Sequence, residues 1–148
     1  MNIKHILLTT DLSDEALRPF GPVLELAKQS GAKVTLLHVV YDLAVAAHGA
    51  ALAPPISSIS MEAELKNADK GLQEQRLALG DEIEVEVKAI AGTDIAQAVV
   101  GYAKEHEADL IALSTHGRTG WKHLFLGSVA EGILRRSEVP VLSFPRAK

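Results

Sequence analysis

The chain of 148 residues has no cysteine. That single absence excludes disulfide frameworks, thiolate zinc sites, iron–sulfur clusters and cysteine nucleophiles together, and it suits a reducing compartment. Aromatic residues are scarce: Trp121, Tyr41, Tyr102, Phe20, Phe125 and Phe144 are all there are, too few for a stacking platform that reads single-stranded nucleic acid or sugar. Positive charge is not in excess either. Fifteen Lys and Arg stand against nineteen Asp and Glu, for a formal net charge of −4, which disfavours a nucleic-acid or anionic-membrane surface, since either would need clustered cations. Long apolar runs are missing as well. Near the N-terminus only Ile6, Leu7 and Leu8 are consecutive, short of a signal-peptide core. The stretch from Leu43 to Ile56 is interrupted by His48, Gly49, Pro54 and Pro55 and falls short of the roughly 20 residues of a membrane span. The expectation is a cytoplasmic protein with no membrane-spanning segment.

What remains is a globular composition, 47% hydrophobic and 23% charged, of a length that suits one domain over residues 1–148 with an aliphatic core. Ile3 to Thr9 reads as a strand buried on both faces. Ser13 is an N-cap candidate with Asp14 and Glu15 behind it, and Ala16, Phe20, Leu24 and Ala27 recur at helical spacing up to Gly31. Pro19 and Pro22 within that stretch predict a kink or a late start. Lys33 to Val40 is a second buried strand, and Asp42 to Ser60 reads as a long loop. Met61 to Leu79 is helical and stops at Gly80. Glu84 to Ile90 alternates charged and apolar residues, as an edge strand does. Thr93 or Asp94 caps a helix running to about Glu107. Leu110 to Leu113 is a strand, Ser128 to Arg136 a helix with Ser128 at its N-cap, and Val139 to Phe144 the last strand. Alternating strands and helices specify an α/β fold, an open and mostly parallel sheet covered by helices on both faces.

In such sheets ligands sit beyond the carboxyl ends of the strands where strand order reverses. Thr9 to Ser13, Val39 to Asp42 and Ser114 to Ser128 should therefore share one crevice. The last of these carries Gly117, Gly120 and Gly127 ahead of a helix start, where close backbone approach, free N–H groups and the helix dipole favour a phosphate. It matches neither a Walker A motif nor the Gly-x-Gly-x-x-Gly dinucleotide fingerprint, and no Gly-x-Ser-x-Gly elbow is present. The six histidines form no metal-type pair on a common helix face.

Asp11-Leu12-Ser13, Leu37-His38-Val39, Asp109-Leu110-Ile111, Thr115-His116-Gly117-Arg118-Thr119-Gly120 and Leu126-Gly127-Ser128 together resemble the universal stress protein family over nearly the whole chain. Its ATP-binding branch carries Gly, two residues, Gly, nine residues, Gly, then Ser or Thr. Gly117, Gly127 and Ser128 satisfy the latter part, and Ser114 stands where the first glycine would be. The resemblance implies a Rossmann-like sheet of five parallel strands, of the adenine-nucleotide α-hydrolase type, in the order 3-2-1-4-5. It also implies ATP as ligand, with or without Mg²⁺. Asp11 would face the ribose, Val40 would offer backbone groups to adenine, and Gly117, Gly127, Ser128 and Val129 would hold the phosphates, with Thr10, Leu113 and Ser114 lining the pocket. Asp11 also suits a helix cap, and Val40 also suits plain core.

The function implied is an ATP-binding stress-response sensor or regulator with at most slow hydrolysis, since no general base stands out beside Asp11 and His116. A nucleotide-free dimeric interaction module of the same fold and a Mg²⁺-dependent ATPase using Asp11 are the alternatives. Val139, Val141, Leu142 and Phe144 make an apolar strand at the rim opposite Glu84 to Val87, and an uncovered apolar edge invites pairing into a homodimer. No other protein partner is named by the sequence.

Overall fold

Ile6, Leu7 and Leu8 are completely buried and set the centre of the sheet. The computed structural model describes residues 2–42, 58–115 and 126–145. Strand β1 (His5–Thr9) sends Ile6 and Leu8 into one apolar cluster and Leu7 into another, because successive side chains of a strand point to opposite faces. That is why its apolar run does not alternate with polar residues. The first cluster holds Phe20, Val23 and Ala27 of α1 (Phe20–Ser30) and Leu72 of α2 (Ser58–Arg76). The second holds Ala96, Val99, Tyr102 and Ala103 of α3 (Ile95–Glu105), with Ala130 and Ile133 of α4 (Ser128–Arg136). Each fully buried aliphatic side chain contributes about 1.5–3 kcal/mol.

With β2 (Lys33–Tyr41), β3 (Val85–Gly92), β4 (Leu110–Ser114) and β5 (Val141–Phe144), the sheet has the order β3-β2-β1-β4-β5 with every neighbouring pair parallel. This is the expected 3-2-1-4-5 arrangement, with β3 at one rim and β5 at the other. The chain order turns back at β1, between β2 and β4, so the C-terminal ends of these three strands meet at the switch point.

Several boundaries differ from the sequence reading. The strand expected from Ile3 begins at His5. The first helix is split: a 3₁₀ turn, Asp14–Leu17, precedes α1, which starts only after Pro19, the late start that proline imposes. Helix α2 begins at Ser58, so the end of the expected Asp42 to Ser60 loop is helical, while residues 43–57 lie outside the described residues. The last strand begins at Val141. Pro140 has no N–H to give, although its carbonyl accepts from Ile111 N at 3.0 Å. Gly127, not Ser128, is the N-cap of α4.

At the opposite end of the sheet from the switch point, the backbone N–H groups of Lys4 and His5 donate to Asp109 Oδ2 at 2.8 and 2.9 Å, and those bonds hold its carboxyl below the usual range. The His5 ring donates from Nδ1 to the His106 carbonyl at 3.0 Å, so in the neutral ring Nε2 accepts from the Thr35 hydroxyl at 2.8 Å. Burial pushes its pKa down. Among the described residues no helix is long and apolar enough to cross a membrane.

Candidate functional site

A cleft of about 700 Å³ opens at the switch point, within the range of about 300–1,000 Å³ usual for small-molecule sites. Thr10, Asp11, Val40, Leu113, Ser114, Gly127, Ser128 and Val129 all line it. The structure thus brings together eight of the nine residues singled out from the sequence. Gly117 falls outside the described residues, as do His116, Arg118, Lys122 and His123. Among the described residues, no group of three His, Cys, Asp or Glu side chains is placed to hold a metal ion.

Beyond β1 the chain makes a tight turn. Asp11 Oδ1 accepts from the Ser13 N–H at 3.0 Å and from the Ser13 hydroxyl, while Thr10 Oγ1 accepts from the Leu12 N–H at 3.0 Å. Both bonds span two residues, the Asx- and ST-turn pattern. Asp11 therefore shapes a turn on Ser13. Ser13 sits at the N-cap of the 3₁₀ turn but makes no side-chain capping bond to it. Leu12, between them, has φ = +66°, a left-handed conformation uncommon for a residue with a γ-branched side chain.

Strand β2 outruns β1. The Thr10 N–H donates to the Leu37 carbonyl at 2.9 Å and the Asp42 N–H to the Gly92 carbonyl at 2.9 Å, so odd-numbered residues here turn their backbone groups toward β1 and even-numbered ones toward β3. Val40 is 8% exposed, its backbone facing β3 and its Cα in register with Ala91. The backbone that faces the switch point past the end of β1 belongs to Val39. His38 Nδ1 lies 2.8 Å from the Thr10 carbonyl. A carbonyl only accepts, so Nδ1 carries the proton and the ring ties the two strand ends together.

The third side comes from β4 and α4. The Gly127 N–H donates to the Thr115 carbonyl at 2.9 Å, and the first helical bond of α4 runs from Glu131 N to Gly127 O. The N–H groups of Ser128, Val129 and Ala130 therefore have no acceptor within the helix and stand at its positive end. All three residues line the cleft. Gly127 has φ = −72°, so no left-handed backbone calls for glycine. A Cβ there would lie 3.0 Å from the Thr115 oxygen, and that close approach does.

Helix α2 was missed as a wall. Glu64, Asn67 and Ala68 line the cleft, and further along the same face Gly71 packs on Leu12, with Gln75 bonded to the turn. Their spacing of three to four residues was legible in the sequence, yet polar residues on a helix otherwise read as solvated.

The sequence profile of the universal stress protein family matches residues 2–145. A universal stress protein of Methanocaldococcus jannaschii is 30% identical over 145 residues, covering 98% of this chain and 84% of that protein. The fold is shared with solved structures. A universal stress protein in complex with cAMP superposes with a TM-score of 0.71 at 21% identity, covering 97% of this chain and 98% of the other. One from Archaeoglobus fulgidus in complex with dAMP gives 0.69 at 19% identity, covering 99% and 100%. Profile, relative and sheet order agree, and the chain belongs to the universal stress protein family.

Proposed function

We propose that the cleft binds an adenine nucleotide, ATP in particular, and that the chain acts as a nucleotide-dependent stress-response regulator with at most slow hydrolysis. The observation that carries this reading is the convergence in one cleft of three unlike groups. The Asp11 turn suits ribose hydroxyls, the backbone of Val39 suits the donor and acceptor edge of adenine, and the N–H groups of Ser128, Val129 and Ala130 suit phosphate oxygens. On this reading Val39 takes the backbone role that the family resemblance suggested for Val40. Gly127 acts by seating the helix start, since its own N–H is engaged with Thr115. The cAMP and dAMP held by the two structural neighbours support the adenylate part of the ligand.

Rapid hydrolysis requires a positioned water and stabilised transition-state charge, and the described part of the cleft supplies no evident constellation for either. The reading extends to assembly. Strand β5 is a sheet rim with Leu142 37% exposed, and antiparallel pairing of two such strands across a two-fold axis would give a homodimer with one nucleotide site per subunit. The test of the ligand is chromatography of the heat-released extract of purified protein. Stoichiometric adenine nucleotide is expected. A protein that carries none and takes up no ATP on incubation would instead be a nucleotide-free interaction module.

A further inference from the structure

Gln75 does not line the cleft, yet its side chain holds both ends of the turn that contains Asp11. The Thr10 hydroxyl donates to Gln75 Oε1 at 2.6 Å, and Gln75 Nε2 donates to the Ser13 carbonyl at 3.3 Å. Thr10 and Ser13 are also the residues that close the turn from within, through Leu12 N–H to Thr10 Oγ1 and Ser13 N–H to Asp11 Oδ1. Because the Thr10 hydroxyl has one hydrogen, committing it to Gln75 aims the oxygen lone pairs at the Leu12 amide. The backbone between these anchors is the unfavourable one, with Leu12 at φ = +66°. Such a conformation persists only where its surroundings over-determine it. Helix α2 supplies a second restraint one turn earlier, where Gly71 leaves room for Leu12. A Cβ built on Gly71 would stand 3.1 Å from Leu12 Cδ1.

We infer that Gln75 is a positioning residue for ribose recognition: it staples the strained Thr10–Ser13 turn to α2 and so fixes the Asp11 carboxylate at the mouth of the cleft. The inference rests on the proposed nucleotide site. It goes beyond that site in assigning a role to a helix residue that touches no ligand. It also makes α2, whose Glu64, Asn67 and Ala68 reach the same cleft, a single rigid part that couples the cleft wall to the Asp11 turn.

The test pairs Gln75→Leu with Gln75→Glu, which keeps the acceptor for Thr10 and loses the donor to Ser13. Two readouts are taken on the full chain. Amide hydrogen exchange without ligand should be at least tenfold faster at Leu12 and Ser13 in Gln75→Leu, with strand amides unchanged. Calorimetric titration should show ATP binding weakened about tenfold and 2′,3′-dideoxy-ATP, which lacks the ribose hydroxyls, changed less than twofold. Gln75→Glu should fall between wild type and Gln75→Leu in both. A folded Gln75→Leu protein with wild-type exchange and wild-type ATP affinity would overturn the staple, and equal losses for both nucleotides would reduce Gln75 to general support of the fold. Failure of the underlying reading looks different. The exchange contrast would then persist while the unmodified chain bound neither nucleotide, and that result would overturn the ribose role along with the site.

Discussion

The Gly127 N–H donates to the carbonyl of Thr115 at 2.9 Å, and a Cβ on Gly127 would stand 3.0 Å from the same oxygen. One close backbone contact thus joins the end of β4 to the start of α4. Glycine is needed here to let protein approach protein, whatever space a ligand also requires. Gly127→Val should therefore lose stability by about 1–3 kcal/mol, the usual cost of forced overpacking, in addition to losing ATP affinity. Urea denaturation checks the first effect, and a variant as stable as wild type would show that the contact relaxes freely.

Ser128 separates the proposed phosphate contact from the fold more cleanly. It is the first residue of α4, preceded by Gly127 in an extended conformation (ψ = 153°), and proline is accepted at a first helical position because the missing N–H has no helical partner. Ser128→Pro should keep stability within about 0.5 kcal/mol of wild type and weaken ATP binding about tenfold. Calorimetry on the folded variant reads this directly, and unchanged affinity would remove Ser128 from the anion site.

Helices α3 and α4 touch through a second glycine. A Cβ on Gly132 would come within 2.7 Å of Ala96 Cβ, closer than two carbon atoms can pack, so Gly132→Ala should destabilise by about 1–3 kcal/mol. Ala96→Gly in the same chain should recover most of that loss, because it vacates the same space. Equal stabilities for Gly132→Ala and the double variant would place the strain elsewhere.

Acid sensitivity should come partly from His5. Burial depresses its pKa in the folded state below the unfolded value of 6.5, so between the two values the unfolded chain binds more protons. The contribution of His5 is intact above pH 6.5 and lost as pH falls through the folded pKa. Asp109, held low by the Lys4 and His5 amides, acts in the same direction at lower pH, in the carboxylate range. Denaturation midpoints from pH 7.5 to 5 should decline in the wild type and decline less in His5→Gln. Parallel curves would exclude His5 as the source.

Assembly through β5 predicts a dimer in sedimentation equilibrium that dissociates when Leu142→Lys and Val141→Pro are combined. The lysine charges the exposed rim and the proline interrupts its hydrogen bonding. A monomer at high micromolar wild-type concentration, or a dimer indifferent to both changes, would contradict it.

The sheet was legible because burial leaves a local mark. Ile6, Leu7 and Leu8 form an unbroken apolar run, as a strand covered on both faces must, and Glu84 to Lys88 alternates, as a rim strand must. Eight of the residues named from the sequence line the cleft because the switch point is a consequence of topology and the family motifs fall on it. What escaped was set by distance or by alternation. Gln75 meets Thr10 across 65 residues, and no local pattern marks such a pair. Val39 rather than Val40 turns its backbone to the cleft because of the side on which β1 pairs, which residue type does not reveal. Ser128 had the composition of an N-cap, but the first helical bond runs from Glu131 N to Gly127 O, so the cap falls one residue earlier.

The central claim is that an adenine nucleotide occupies the cleft at the switch point. Titrating isotope-labelled protein with ATP and following the backbone amides tests it most directly. Saturable shifts should centre on Asp11, Leu12, Val39, Ser128, Val129 and Ala130 and leave the amides around His5 and Asp109, at the other end of the sheet, in place. No saturable shift at millimolar ATP, or shifts centred on that far end, would contradict the account.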